Sequence, residues 1–536
     1  MGGGDVELAG FFTLYEEAFA RYRSGQYAEA WDLLLAFQRK KGIRILLCEL
    51  LKAYILRAQK KYVSEIACLK ALVHDFADCD DKKHLADAYS LLGEAQRMLG
   101  ESREAVASFT ASARIEPDAV KKLTEVSNAI FSANAIADWE AGQMQELYSL
   151  YRHYLGALSI VPYPRVDWQH KKIRLGYLSA DLRNHAVGQF VKPFFFAFAQ
   201  ESFEVYVYQL NKDEDLVTRE LQRAPVVWRN LTGKNWAGIA AAVHADEIDI
   251  LLELGGHTAC NALPVLAYHP AYIQISGIGY FNSIGLEDCD GFLSDVYCSP
   301  EPASPYFTEE LLILPHTHFC YQPYKVFPEV SPPPVAKNDY ITFGSFNNFA
   351  KVNDEMLLIW REILLRVPGS RLLLKHQLLG TAEGREYTLR RLSKLGLPAG
   401  HIDLRSYSAN YLQEYGAVDI ALDTEPYTGG LTTCEALYMG VPVVTLAGNR
   451  HGARFGLSFL SNVGLGELAA KSREEYVDIA VALAEDRELL AALRQNLRQM
   501  LQSSPLMNPE TYMEDLENLY CHLLNKYCRN RNVSVE

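Results

Sequence analysis

Long apolar runs are missing from this 536-residue chain: no stretch approaches the roughly twenty residues that a helix needs to cross a bilayer. Basic charge is scarce as well. Lys and Arg total 52 against 66 Asp and Glu, a formal charge of −14, so no basic face is offered to nucleic acid, although a local basic pocket for a phosphate is compatible with that total. Paired cysteine motifs are absent too. The ten cysteines are scattered without CxxC or Cys/His zinc spacing, which excludes a zinc ribbon and fits reduced thiols in a cytoplasmic protein. Met1 to Val6 carry neither a basic n-region nor an apolar core, and position 6 lacks the Ser or Thr that myristoylation favours, so no leader or lipid anchor is expected. In a cytoplasmic chain the sequons Asn230-Leu-Thr232 and Asn532-Val-Ser534 have no consequence. What is present is ordinary for a globular protein, 49% apolar and 22% charged. The length predicts about three domains.

Residues 11–118 show no strand-like alternation and are punctuated as helix pairs. Between Ala86 and Pro117, residues Tyr89, Leu92-Gly93, Gly100, Ala105, Phe109 and Pro117 occupy the tetratricopeptide positions for large, Leu-Gly, turn Gly, small, aromatic and terminating Pro. An earlier copy runs through Leu14, Gly25, Tyr27, Ala30 and Leu34, and a degraded one lies between, at Tyr54, Lys61-Tyr62 and Leu69. Residues 1–118 are therefore expected to stack as helical repeats whose concave face takes a protein partner, the alternative being a bundle that only props up the rest. Residues 119–165 form a helical linker, broken at Val161-Pro-Tyr-Pro164.

The texture then changes to strands alternating with helices. Ile173–Leu178, Phe203–Tyr208 and Ile248–Glu253 read as strands of a first half, residues 166–334. After the Pro-rich connection Pro323 to Pro334, a second half (residues 335–536, with terminal helices) restarts at Tyr340–Phe343 and continues through Arg371–Lys375, Ile402–Leu404, Asp419–Leu422 and Pro442–Leu446. Such alternation implies parallel sheets with helices on both faces and ligands off the carboxyl ends of the strands. The expected fold is α plus α/β: a tetratricopeptide-type α-solenoid followed by two Rossmann-like domains. Two such domains facing each other across a linker form a GT-B arrangement, which glycosyltransferases share with epimerases and phosphorylases.

The stretch Asp423 to Leu437 stands at the centre of this reading. A buried strand leads into Gly429-Gly430-Leu431-Thr432-Thr433, and a helix then runs to Met439 and stops at Gly440. Paired glycines bring backbone close to a ligand, and the helix start offers free N–H groups and a positive dipole end to a phosphate. The plain alternative is an ordinary strand-to-helix loop capped by Thr432 or Thr433.

Several ordered stretches resemble the O-linked GlcNAc transferase family, which includes the plant SPINDLY-type O-fucosyltransferases and many bacterial members. They are Gly176–Asp181 with Asn184-His185, Asp249–Thr258, Pro270–Gln274 with Gly279-Tyr280, Phe343–Lys351, and Leu422 through Val444; with the repeats and Ser127–Phe131 of the linker the likeness covers nearly the whole chain. The resemblance implies inverting, metal-independent transfer of a sugar, GlcNAc first, from a nucleotide diphosphate to Ser or Thr of a protein acceptor held by the repeats. No cofactor is expected besides the donor substrate.

By the same resemblance, Lys351 meets the charge that develops on the leaving diphosphate, and Gly430, Thr432 and Thr433 bind phosphate. Asn348 contacts the diphosphate or ribose, Tyr411 stacks on the base, and Glu435 holds the ribose where Asp is commoner. His185 corresponds to the histidine beside sugar and acceptor, where an imidazole titrating near working pH can take a proton. Asp246 matches an acid on a proposed proton path, and His257 either joins the site or caps a strand end.

Two departures leave the donor open. Tyr411 and Leu431 stand where family members carry histidines, so GDP-fucose and UDP-glucose remain alternatives to UDP-GlcNAc. Asp288-Cys-Asp290 spells a metal-binding DxD and His316-Thr-His318 a ligand pair; the first opens an apolar run and the second lacks a third ligand, so no metal site is expected. A rival of another class is a repeat scaffold with an inactive catalytic half, and the retention of Lys351 and His185 argues against it. Oligomeric state is not legible.

Overall fold

The computed structural model describes residues 3–42, 44–299 and 306–528. Eight helices lead: α1 (Gly3–Arg23), α2 (Tyr27–Lys41), α3 (Leu46–Ala58), α4 (Tyr62–Asp75), α5 (Lys82–Met98), α6 (Ser102–Ile115), α7 (Ala119–Ala133) and α8 (Ala141–Gly156). The first six pair as the repeat pattern predicts. A side chain at Gly93 of α5 would meet the Phe109 ring of α6 at 2.8 Å, which is why the small and aromatic positions of the repeat go together. Each intra-pair turn passes through a left-handed residue: Gly25 (φ 79°), Lys60 (φ 57°) and Gly100 (φ 79°). Lys60 carries a side chain where the other copies have none, a strain of about 1 kcal/mol, and this is what makes the middle copy read as degraded.

Two parallel sheets follow. The first has the order β3-β2-β1-β4-β5-β6-β7, built from β1 (Ile173–Ser179), β2 (Phe203–Gln209), β3 (Val227–Asn230), β4 (Ile250–Glu253), β5 (Ile273–Ser276), β6 (Gly291–Asp295) and β7 (Glu310–Leu314). The second has the order β10-β9-β8-β11-β12-β13, from β8 (Thr342–Ser345), β9 (Arg371–Lys375), β10 (Ile402–Arg405), β11 (Ile420–Leu422), β12 (Val443–Leu446) and β13 (Ala469–Ala470). Every ladder is parallel. Strands β3, β5, β6, β7 and β13 were not distinguished by sequence pattern. They are short, and β5 and β6 are buried at every position, so no alternation marks them.

The parts are clasped together rather than strung in line. The linker helices lie against the first half: Asn134 Nδ2 donates to Tyr280 Oη at 2.9 Å, and Tyr148 Oη to Ser283 O at 2.7 Å. The repeats lean on the second half, where Ser64 donates to Glu383 on the helix Ala382–Lys394. The last helix, Pro509–Tyr527, crosses back to the first half: Glu517 accepts from Ala199 N at 2.8 Å, and the Tyr520 and Tyr177 hydroxyls meet at 3.4 Å. Among the described residues no helix is long and apolar enough to cross a membrane.

Candidate active site

A cavity of about 430 Å³ opens between the two halves, walled by His185, His257 and Phe281 from the first, Lys351, Tyr427 and Thr432 from the second, and Arg97 and Phe131 from the helical region. Both sheets aim the carboxyl ends of their strands at it, as parallel α/β layers require.

The second half contributes a loop built around Asp423, at the end of β11. Its carboxylate is 1% exposed and accepts from Gly429 N at 2.7 Å, Thr424 N at 2.8 Å, Thr445 Oγ1 at 2.9 Å and Asn347 Nδ2 at 3.0 Å. Asn347 in turn accepts from Thr432 Oγ1 at 2.6 Å. A side chain at Gly429 would meet Thr433 Oγ1 at 2.5 Å, so only glycine lets the loop turn this tightly. Gly430 caps the helix Leu431–Tyr438, whose first N–H groups have no intrahelical acceptor. Thr432 faces the cavity, whereas Thr433 is buried and donates to Gly429 O at 3.1 Å.

Lys351 ends a short turn, Phe349–Lys351, that follows β8 and is capped by Asn348, whose Oδ1 accepts from Ala350 N. Its ammonium donates to Thr428 O at 3.0 Å. Burial pushes it down to about 8, partly offset by the Asp423 carboxylate. Asn348 is exposed on the cavity wall, and its neighbour Asn347 is the one that points inward.

From the first half comes His185, N-cap of the helix Ala186–Phe190 just beyond β1. Its Nδ1 accepts from Val187 N at 3.4 Å and lies 3.7 Å from Asp181 Oδ1. Burial lowers its pKa, the Asp181 carboxylate raises it and Arg183 lowers it. A neutral ring accepting at Nδ1 carries its proton on Nε2.

Tyr411 and Glu435 sit together deeper in the second half. The Tyr411 hydroxyl donates to Glu435 Oε1 and accepts from Lys325 Nζ, which is also 3.6 Å from that carboxylate. Burial raises the Glu435 pKa against both partners. Lys325 lies on the connection between the halves and was not singled out from sequence, since a lone lysine in a proline-rich stretch gives no signal.

Other candidates go elsewhere. Asp246 caps the helix Trp236–Ala245, which runs back against the strands, so it emerges at their amino ends. There Arg229 Nη2 holds it at 2.8 Å, Tyr208 Oη at 3.0 Å, and Arg174 at the start of β1 donates to its carbonyl. It is not among the residues that line the cavity. His257 touches the cavity, yet both its ring nitrogens are engaged: Nδ1 with Ser127 Oγ and Nε2 with Ile284 O, each at 2.9 Å. Asp288 lies 3.0 Å from His269 Nε2 and Asp290 pairs with Arg165 at 2.8 Å, so each DxD carboxylate has a partner within the protein. His316 is exposed while His318 is buried 2.6 Å from Asp295, which also accepts from Tyr297 N, Cys298 N and Ser458 Oγ.

A sequence profile described as Glycosyl transferase family 41 matches residues 161–338 and 335–516. The protein named "Probable UDP-N-acetylglucosamine--peptide N-acetylglucosaminyltransferase SPINDLY" of Arabidopsis thaliana is 38% identical over 372 residues, 68% of this chain and 41% of that protein. Its namesake from Oryza sativa subsp. japonica is 36% identical over 436 residues, 79% of this chain and 46% of that protein. This chain thus spans less than half the length of those plant relatives. Among solved structures, a Lys-to-Met mutant of the Thermobaculum terrenum O-GlcNAc transferase superposes with a TM-score of 0.84 at 28% identity, covering 99% of each chain.

Proposed function

This chain belongs to glycosyl transferase family 41, and on that premise we propose that it is a protein O-glycosyltransferase, moving a sugar with inversion from a nucleotide diphosphate donor, UDP-GlcNAc first, to Ser or Thr of a protein acceptor. The observation that carries the reading is the convergence of Lys351, the Gly430–Thr432 helix start and His185 on one cavity between facing strand ends. Charge develops on the departing diphosphate, so donors fixed beforehand where it develops lower the barrier. The Lys351 ammonium and the helix N–H groups supply them, and an incoming phosphate charge favours the protonated lysine despite its depressed pKa. In this reading the compensation falls to those groups rather than to an ion.

His185 faces the cavity from the opposite wall. With Nδ1 accepting from Val187 N, its Nε2–H orients a sugar or acceptor oxygen; it takes the acceptor proton only in the other tautomer. Asn348, Thr433, Tyr411 and Glu435 complete donor binding in this reading, which leaves out Asp246, held by Arg229 and Tyr208. The acceptor enters from the repeat side, past Glu94 and Arg97 of α5. The ten free thiols fit a reducing cytoplasm as the compartment.

A second donor reading, GDP-fucose, rests on Tyr411 and Leu431, whose residue types change the surroundings of the base. Thermal-shift titration with UDP, GDP, UDP-GlcNAc, UDP-glucose and GDP-fucose separates the two, because a ligand that binds only the folded state raises Tm by mass action. Stabilisation by uridine nucleotides alone supports the first reading and by guanosine nucleotides alone the second. No response to any of them favours an inactive repeat scaffold.

A further inference from the structure

The Lys351 ammonium lies over the ring of Tyr427, 3.5 Å from its centroid. That ring is itself held from behind. It stacks on Phe281 at 3.8 Å between centroids and 25° between planes. Phe131 closes the group edge-on, 5.5 Å from Phe281 and 6.3 Å from Tyr427. The three rings come from three parts of the chain: Phe131 from α7, Phe281 from the first half, Tyr427 from the second. Arg97 of α5 covers Phe131 in turn, at 5.9 Å.

We propose that Tyr427 is a positioning residue for Lys351: beside the Thr428 carbonyl that accepts from the ammonium, its π face holds that ammonium where the donor diphosphate departs, and Phe281 and Phe131 hold the ring, so the lysine is correctly placed only when all three parts are assembled. The inference rests on the glycosyl-transfer reading of Lys351. A lysine side chain has four rotatable bonds, and an unrestrained one must give up that freedom at each turnover. An aromatic face attracts a cation most strongly where water is excluded, and it replaces part of the lost hydration without neutralising the charge. A carboxylate in the same place would neutralise the ammonium and compete with the diphosphate. Asp423 acts on Lys351 from behind the loop while spending its oxygens on Gly429, Thr424, Thr445 and Asn347. The other charged or titratable groups that line the cavity are Arg97, beyond Phe131, and Glu94 on α5, with His185, His257 and Tyr280 from the first half.

Removing the ring removes an interaction that favours the charged lysine, so the pKa of Lys351 falls below its value of about 8. Tyr427→Leu keeps an apolar side chain there without a π face and should lower kcat/KM for the donor roughly tenfold, the size of a desolvated cation–π contact. The alkaline limb of the kcat/KM profile should move about one pH unit lower. Tyr427→Phe keeps the ring and should keep both. The ε-carbon resonance of Lys351 in 13C-lysine-labelled protein, assigned through Lys351→Arg, follows the same titration without turnover. A Lys351 midpoint unmoved in Tyr427→Leu, or a loss in Tyr427→Phe as large as in Tyr427→Leu, overturns the proposal. If the wild-type protein transfers no sugar, the glycosyl-transfer reading fails, and the resonance still decides whether the ring holds the ammonium.

Discussion

Ser127 and His257 join the helical linker to the first half by one buried hydrogen bond: the serine Oγ lies 2.9 Å from Nδ1, and the far ring nitrogen donates to Ile284 O at the same distance. Burial drives the pKa of the ring down to about 4, against the bond to Ile284 O, so the ring is neutral at pH 7.

The sign of the resulting pH dependence is set by that depression. Between the unfolded value near 6.5 and about 4, the unfolded chain binds the proton that the folded chain refuses, so this contribution to stability is lost as pH falls through that window. At pH 5 the loss is about 2 kcal/mol. Glu65, Glu125 and Glu253, raised to about 7 by burial, oppose it, because a folded carboxyl that prefers its proton gains stability as pH falls from there. The test is therefore a difference. His257→Gln should have a lower Tm than wild type at pH 7.5 and a smaller further drop on going to pH 5; an equal drop would remove His257 from the account.

Lys351→Met should abolish transfer, by at least roughly a hundredfold in kcat, while UDP or GDP still binds measurably. The interaction lost is one that strengthens as the diphosphate leaves. Transfer surviving within a few-fold would assign the leaving-group role elsewhere.

Lys325→Ala should weaken nucleotide binding roughly tenfold by calorimetry, since it strips the cation from a buried carboxylate and a phenol that are expected to meet ribose and base. Affinity unchanged for both UDP and GDP would place the Tyr411–Glu435 pair outside the nucleotide site.

Arg97→Ala should raise KM for a protein acceptor several-fold, and KM for the donor by less, because Arg97 reaches the cavity from the repeats while the donor groups stand on the second half. A larger effect on the donor would contradict entry of the acceptor past α5.

Much of this was legible in the residues. The spacing of Gly25, Gly93, Gly100 and Phe109 announces paired helices, because glycine allows the close helix approach and takes the left-handed turn without strain. Ile173–Leu178 and Arg371–Lys375 announce strands, being largely apolar runs bounded by turns, and the first strand in the fold extends one residue further, to Ser179. Asn348 and Asn347 mark the limit of such reading. Both stand in one motif, and only the folded loop shows that Asn347 is buried against Asp423 and Thr432 while Asn348 is exposed. Asp246 marks it again, since a residue before a strand lies at the end opposite to one after it, and that inference needs the helix direction.

The sequence alone determined the order of the parts, the parallel character of both sheets and the glycine-rich strand-to-helix loop, because these follow from local periodicity and backbone sterics. The tertiary structure alone decided that Phe131, Phe281 and Tyr427 meet beneath Lys351, that Lys325 reaches Glu435, and that the last helix returns to the first half. Those contacts join residues far apart in the chain, and nothing local encodes which buried faces will cover one another.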